Sequence, residues 1–316
     1  MGNDVTVVKR DGSIEPIDLD KVHRMVEAAC KDVAGVSESS VEMNSGLQFY
    51  DGITSKEIQS ILIKSAADLI SLESPNYQYV AARLLLFQVR KSVFNTKWKD
   101  SKIYPVLKDI VTSNINYGVY DEKLITYYSD EEWEKLDSYI KHDRDFLFTY
   151  AGLRQIVDKY IVQDRSNGKL FESPQYMYML IASVLFKNYP EEKRLQYVKK
   201  YYDAISTFKI NIPTPIMAGI RTPLRQFASC VLVDSDDTLD SIFSSDMAIG
   251  RYVAQRAGIG INAGRIRGLG SKIRGGEVQH TGVIPFLKKF ESTVRCCTQN
   301  GVRGGSATVH FPIWHQ

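Results

Sequence analysis

Apolar and polar positions alternate from Val5 to Arg10. Val5, Val7 and Lys9 fall on one face and Thr6, Val8 and Arg10 on the other, which predicts a short strand. Asp11-Gly12 follows, and the apolar pattern resumes at Ile14 and Ile17. Asp-Gly between two such runs predicts a hairpin, because the tight turn needs positive φ. Asp18 is placed to cap a helix with the stripe Val22, Met25, Val26 and Ala29. The capping box Thr54-x-x-Glu57 opens a second helix with the stripe Ile58, Ile61, Leu62, Ala66 and Leu69. Ser74-Pro75 opens a third, running through Leu84 and Phe87 to about Phe94. Residues 4–95 therefore read as a small α+β module.

Residues 96–206 read as mostly helical and rich in tyrosine. One hairpin turns at Ser166-Asn167-Gly168, followed by helices over Gln175 to Phe186 and Glu191 to Ser206. No ligand spacing and no nucleophile with a base stands out, so this zone reads as packing scaffold. Residues 207–316 change character. A strand over Phe227 to Val233 leads into the acidic turn Asp234 to Asp237, then a helix from Leu239 to Gln255. A glycine-rich loop bearing Arg265, Arg267 and Arg274 follows, then a helix over Val283 to Val294. A second glycine loop from Thr298 to Gly305 precedes a strand over Ala307 to Phe311. The end on an apolar strand reads either as an ordinary terminal strand or as a fold completed by another polypeptide.

The chain has 316 residues, enough for about two domains by the usual ~150 residues per domain. With 44% apolar and 24% charged residues, bulk disorder is excluded. The net charge of +3 lacks the basic excess of a dedicated nucleic-acid binder, so no nucleic-acid partner is expected. No apolar run approaches the ~20 residues of a membrane span, and the N-terminus has no basic-then-apolar signal, so no membrane partner is expected either. Four cysteines are too few for a disulfide scaffold, which points to a reducing cytoplasm.

Eleven of the 21 glycines lie between Gly258 and Gly305, and Arg265, Arg267, Arg274 and Arg303 sit among them. Such loops are phosphate-binding candidates, since glycine lets backbone N–H groups approach and arginine offers a fork of donors. They are also read as plain turns. Gly258-x-Gly260 is followed by Gly264, one residue too late for G-x-G-x-x-G, and no P-loop occurs. A lone cysteine such as Cys230 on an apolar strand is ordinarily inert packing. Cys296-Cys297 are adjacent, which is poor geometry for a bridge or a metal. The histidines are scattered, so no metal is expected in this chain. The cations Lys9, Arg10, Lys21 and Lys91 gather near one hairpin and read either as surface charges or as a triphosphate site.

Val7-Val8-Lys9-Arg10-Asp11-Gly12 with Ile17 to Lys21 resembles the opening of an ATP-cone, an effector-binding module. Asn211 to Met217, Arg225 to Leu232, Gln255 to Asn262 and Gly301 to Gly305 resemble the large subunit of class I ribonucleotide reductase, in order along the whole chain. The resemblance covers less than half of the family's length. It implies a multidomain α+β and α/β fold: an ATP-cone over 1–95, a helical domain over 96–220, and the first strands of a ten-stranded α/β barrel over 221–316, completed by another chain.

Site roles are implied residue by residue. Cys230 matches the first cysteine of the reducing pair. Thr214, Ser229, Ala257 and Gly258 match groups holding the substrate ribose and diphosphate. Asp237, Arg267, Ile273 and Arg274 match the specificity-effector site, and Gln299 and Arg303 match the loop that relays its state. Lys9, Glu15, Lys21, Ser55 and Lys91 match the overall-activity site for ATP or dATP. The helices at about 239–255 and 283–294 resemble those pairing two large subunits. Gln59 stands where some relatives carry a histidine, so the resemblance carries over ATP binding but not inhibition by dATP.

The family's thiyl-forming cysteine, its second reducing cysteine and its radical-relay tyrosines find no match in this sequence. The expectation is therefore the N-terminal half of a large subunit, inactive alone, either as a natural split, phage-type product or as a truncated piece of a longer chain. It implies as partners a separately encoded C-terminal half, a small subunit whose metal site generates the radical, a second large subunit, and a thioredoxin- or glutaredoxin-type reductant. The implied ligands are ribonucleoside diphosphates, with ATP, dATP and other deoxynucleoside triphosphates as effectors. The rival readings are a non-catalytic nucleotide-sensing module built on the cone and an inert remnant of an interrupted gene.

Overall fold

The computed structural model describes residues 5–9, 11–46, 48–94, 104–297 and 304–315. The chain forms two compact units, Met1–Asn211 and Ile212–Gln316.

The first unit begins with strands β1 (Thr6–Val8) and β2 (Ile14–Pro16), helices α1 (Leu19–Cys30) and α2 (Glu38–Gly46), strand β3 (Ile53–Thr54), and helices α3 (Ser55–Asp68) and α4 (Tyr77–Phe94). The sheet order is β2-β1-β3, with β1 antiparallel to β2 and parallel to β3. The hairpin turns at Gly12, whose φ of 84° is open to glycine at little cost. Asp18 caps α1 by accepting from Lys21 N, and the capping box at α3 is complete. Helix α2 was not foreseen in the sequence; its polar residues leave a weak apolar stripe.

The same unit continues through α5 (Leu107–Asn116), α6 (Asp130–Tyr139), α7 (Tyr150–Gln155), the hairpin β4 (Gln163–Asp164) and β5 (Lys169–Leu170), α8 (Pro174–Phe186) and α9 (Glu191–Ser206). Helix α8 is buried from Pro174 to Val184, and α9 packs along it. Apolar on every side, α8 can only be a central helix. Segment Ile156–Tyr160 is a π-helical turn ahead of β4.

The second unit holds α10 (Thr214–Gly219), β6 (Cys230–Asp234), α11 (Leu239–Ala254), β7 (Gly258–Asn262), β8 (Leu269–Ile273), β9 (Val278–Thr281), α12 (Ile284–Cys296) and β10 (Ala307–His310). Strands β10, β7 and β6 make a parallel sheet in that order. Helices α11 and α12 cover one face. Ile242, Ile249, Val253, Phe290 and Val294 pack there against Ile259 and Ile261. The β6 strand starts at Cys230, three residues later than the Phe227 predicted from its apolar run. The glycine-rich stretch after β7 is not all loop: β8 and β9 form an antiparallel hairpin. Gly270, Gly275 and Gly276, all at positive φ, supply its bends. Among the described residues, no helix is long and apolar enough to cross a membrane.

Candidate active site and effector sites

Alternation along β6 decides where Cys230 points. Val231 and Val233 pack toward the helices, so Cys230, Leu232 and Asp234 face the opposite side, where all three are exposed. The bland expectation of a buried, inert thiol is therefore not met. Cys230 pairs in register with Gly258 on β7, and Gly258 N donates to Ser229 O at 2.8 Å. A Cβ at position 258 would lie 3.6 Å from the Cys230 sulfur, so glycine keeps the space beside the thiol clear. Ala257 is buried directly before this strand. Four of the five residues matched to thiol and substrate thus gather at the leading ends of β6 and β7. Thr214 lies apart from them in sequence, as the first residue of α10.

The rest of that open face carries Leu232, 86% exposed, and the exposed Thr308 and His310 of β10. Ile313, 95% exposed, and Trp314 follow β10.

A second cluster forms where the acidic turn after β6 meets the segment after β7. Asp237 accepts from Arg267 N at 2.8 Å and from Arg267 Nε at 2.7 Å, a two-point pairing. Arg267 Nη1 also donates to Lys272 O at 3.3 Å. The turn stands ahead of α11, which Thr238 caps, so its carboxylates sit at the helix end that favours negative charge. Ile273 ends β8, and Arg274 adopts φ of 50° in the reversal beyond it. The structure thus brings Asp237 and Arg267 into contact and strings Ile273 and Arg274 along the adjoining hairpin. It also reveals partners that sequence reading missed. Asn262 Nδ2 donates to Asp234 Oδ1 at 2.8 Å, Arg265 pairs with Asp234 at 3.2 Å, and the buried Ser235 hydroxyl has no partner. Gln299 and Arg303 lie outside the described residues.

In the first unit, Lys9 pairs with Glu15 across the hairpin at 3.0 Å. Val8 pairs with Thr54, so Lys9 and Ser55 each follow a paired residue at the same end of the sheet. Lys21 lies in the first turn of α1 and Lys91 in the last turn of α4. Asp51, unremarked in the sequence, accepts from both Thr6 N and Thr6 Oγ1 and ties the turn before β3 to β1. Those bonds hold its carboxyl below the usual range. Thr54 likewise lowers Glu57, and Tyr50 is raised by its hydrogen bond to Glu57. Gln59 donates to Leu84 O at 2.8 Å, which commits its amide to the contact between α3 and α4.

The helical part is scaffold with a polar heart that the sequence did not disclose. Arg90 and Asp145 form an ion pair at 3.3 Å with both side chains buried, and Gln175 Nε2 donates to Asp145 at 2.9 Å. His142 stacks on Tyr104 at 3.4 Å between ring centroids. Burial first, then nearby Arg90, pushes the His142 imidazole down to about 3. Burial pushes Asp145 up to about 6, against the pull of Arg90. Among the described residues, no three His, Cys, Asp or Glu side chains stand together as a metal-holding group.

The barrel domain of ribonucleotide reductase matches residues 228–316, its all-alpha domain residues 146–225, and the ATP cone domain residues 5–92. The chain is 53% identical over 315 residues to ribonucleoside-diphosphate reductase 1 subunit alpha of Escherichia coli, covering 100% of this chain and 41% of that protein. The subunit alpha of Haemophilus influenzae is 52% identical over the same shares. That of Enterobacteria phage T4 is 45% identical over 98% of this chain and 40% of its own length. The chain belongs to the ribonucleotide reductase large-subunit family and carries its ATP cone, all-alpha domain and part of its barrel. It spans about two fifths of the length of the curated relatives it matches.

Proposed function

We propose that this chain is the N-terminal part of a ribonucleoside-diphosphate reductase large subunit and works only together with the remainder of the barrel. In this reading it reduces ribonucleotides to deoxyribonucleotides once its complement and a radical-generating small subunit have assembled with it. The observation that carries the reading is the open face of the β10-β7-β6 sheet. Parallel sheets are normally covered on both faces. Here one face presents Cys230 beside Gly258, next to uncovered apolar side chains such as Leu232. A nucleotide sensor would have no use for such a face.

In the assembled enzyme, a thiyl radical on the complementary half takes the ribose 3′ hydrogen and returns it to the same carbon once the 2′ position has been reduced. Cys230 and a second cysteine from that half then supply two electrons and two protons. The C2′ hydroxyl leaves as water, hydrogen replaces it, and the two sulfurs join as a disulfide. A thioredoxin- or glutaredoxin-type protein resets the pair. The metal site that generates the radical belongs to the small subunit. Thr214, Ser229, Ala257 and Gly258 hold the ribonucleoside diphosphate. The cluster of Asp237, Arg267, Ile273 and Arg274 receives a deoxynucleoside triphosphate or ATP where two large subunits pair through α11 and α12, and Gln299 and Arg303 relay its identity. Lys9, Glu15, Lys21, Ser55 and Lys91 hold ATP or dATP in the cone. The enzyme works in a reducing cytoplasm, that of the host if a phage encodes it.

The test mixes this chain with the complementary half and the small subunit and measures deoxynucleotide formed from a ribonucleoside diphosphate. Turnover should require all three, and Cys230→Ser should abolish multiple turnover. Full turnover by the serine variant, or turnover without the complementary half, would refute the proposal.

A further inference from the structure

We propose that Cys296 and Cys297 form a vicinal dithiol site for trivalent arsenic, a ligand that two thiolates hold without a third protein donor. The two sulfurs stand 3.7 Å apart at the C-terminal end of α12, and both thiols are free. Cys297 is held in place: its sulfur would lie 3.2 Å from a Cβ at Gly250, so it rests against the backbone of α11. Cys296 is exposed on the rim of a shallow depression of about 440 Å³ lined by Lys288, Glu291, Ser292 and Arg295. Glu291 is engaged by Arg295 at 2.6 Å, and the soft donor on this rim is Cys296, with the Cys297 sulfur 3.7 Å from it.

Geometry selects the ligand. Consecutive Cα atoms lie ~3.8 Å apart, below the ~4.4–6.8 Å that disulfides span, so a direct bridge strains the backbone. An atom inserted between the sulfurs relieves that strain, because they need not close to bonding distance. Soft thiolates favour soft centres. A pyramidal arsenic needs only two of them when its third substituent is carried in. Metals that demand four protein ligands find no such group among the described residues.

The step balances without redox change. An arylarsenic(III) oxide takes up both S–H groups, two As–S bonds form, the As–O bond breaks and one water leaves. Arsenic stays trivalent and neither sulfur is oxidised. The other cysteines cannot offer this chelate. Cys30 is buried, its thiol pushed up to about 11 by burial, and Cys230 stands alone on its strand.

The test treats the full-length chain, reduced with a phosphine, with one equivalent of phenylarsine oxide and reads the intact mass. One arsenic per chain is expected, resistant to excess monothiol and removed by 2,3-dimercaptopropanol. Cys296→Ser and Cys297→Ser should each lose the adduct, whereas Cys30→Ser and Cys230→Ser should keep it. Cys296 is exposed, so its serine variant should retain the wild-type circular dichroism and decides the matter if Cys297→Ser misfolds. No adduct on the wild-type chain, stripping by the monothiol, or an adduct that survives in Cys296→Ser would overturn the proposal.

Discussion

His142→Phe should change how stability depends on pH while leaving the fold in place. The phenyl ring can keep the stack on Tyr104, and it removes both the titrating group and the buried Nδ1 that has no partner. In the folded chain the imidazole is pushed down to about 3, whereas an unfolded histidine titrates near ~6.5. As pH falls through ~6.5, the unfolded state binds a proton that the folded state refuses, so histidine's contribution is present above that pH and lost below it. At pH 5 the gap is ~1.5 pH units, and at ~1.4 kcal/mol per unit the wild type loses ~2 kcal/mol there. Asp145 acts with the opposite sign. Its folded value is pushed up to about 6, so the folded state takes the proton first and gains stability as pH drops. At pH 5 that gain offsets part of the histidine's loss in the wild type. Removing the histidine unmasks it. Urea denaturation of the full chain at pH 7 and pH 5, followed through the buried Trp133, gives the comparison. The variant should gain ~2 kcal/mol relative to wild type between the two pH values. Stability curves that stay parallel over that range would refute the reasoning.

Two further changes test the second unit. Gly305→Ala would bring a methyl onto the backbone carbonyl of Val294 and 2.8 Å from its Cγ1, so thermal unfolding should reveal a loss of ~1–3 kcal/mol from overpacking. Asp237→Asn removes the charge that pairs with Arg267, and equilibrium dialysis of a deoxynucleoside triphosphate should show affinity reduced by roughly tenfold, or ~1.4 kcal/mol. Unchanged binding would remove Asp237 from the effector site.

Local features could be read directly. The Asp11-Gly12 turn, the Asp18 cap and the Thr54–Glu57 box involve neighbours within four residues, so their chemistry is complete in a short window. Helix α9 and the body of α8 followed from periodicity and from the Ser-Pro start. The hairpin β8–β9 was hidden because alternating glycines weaken an apolar pattern, and its pairing depends on bends that only the folded backbone displays. The motif order along the chain identified the family, since each motif is contiguous.

By itself, then, the sequence determined the family, the local caps and turns, and which residues carry thiol, carboxylate and guanidinium chemistry. Tertiary structure decided what those groups meet. Pleating turned Cys230 outward beside Gly258, chain crossover joined Asp237 to an arginine 30 positions away, and packing buried Arg90 with Asp145 across 55. The physical reason is range. Caps and turns are set by bonds within one turn of chain, whereas burial and charge pairing depend on which distant segments pack together.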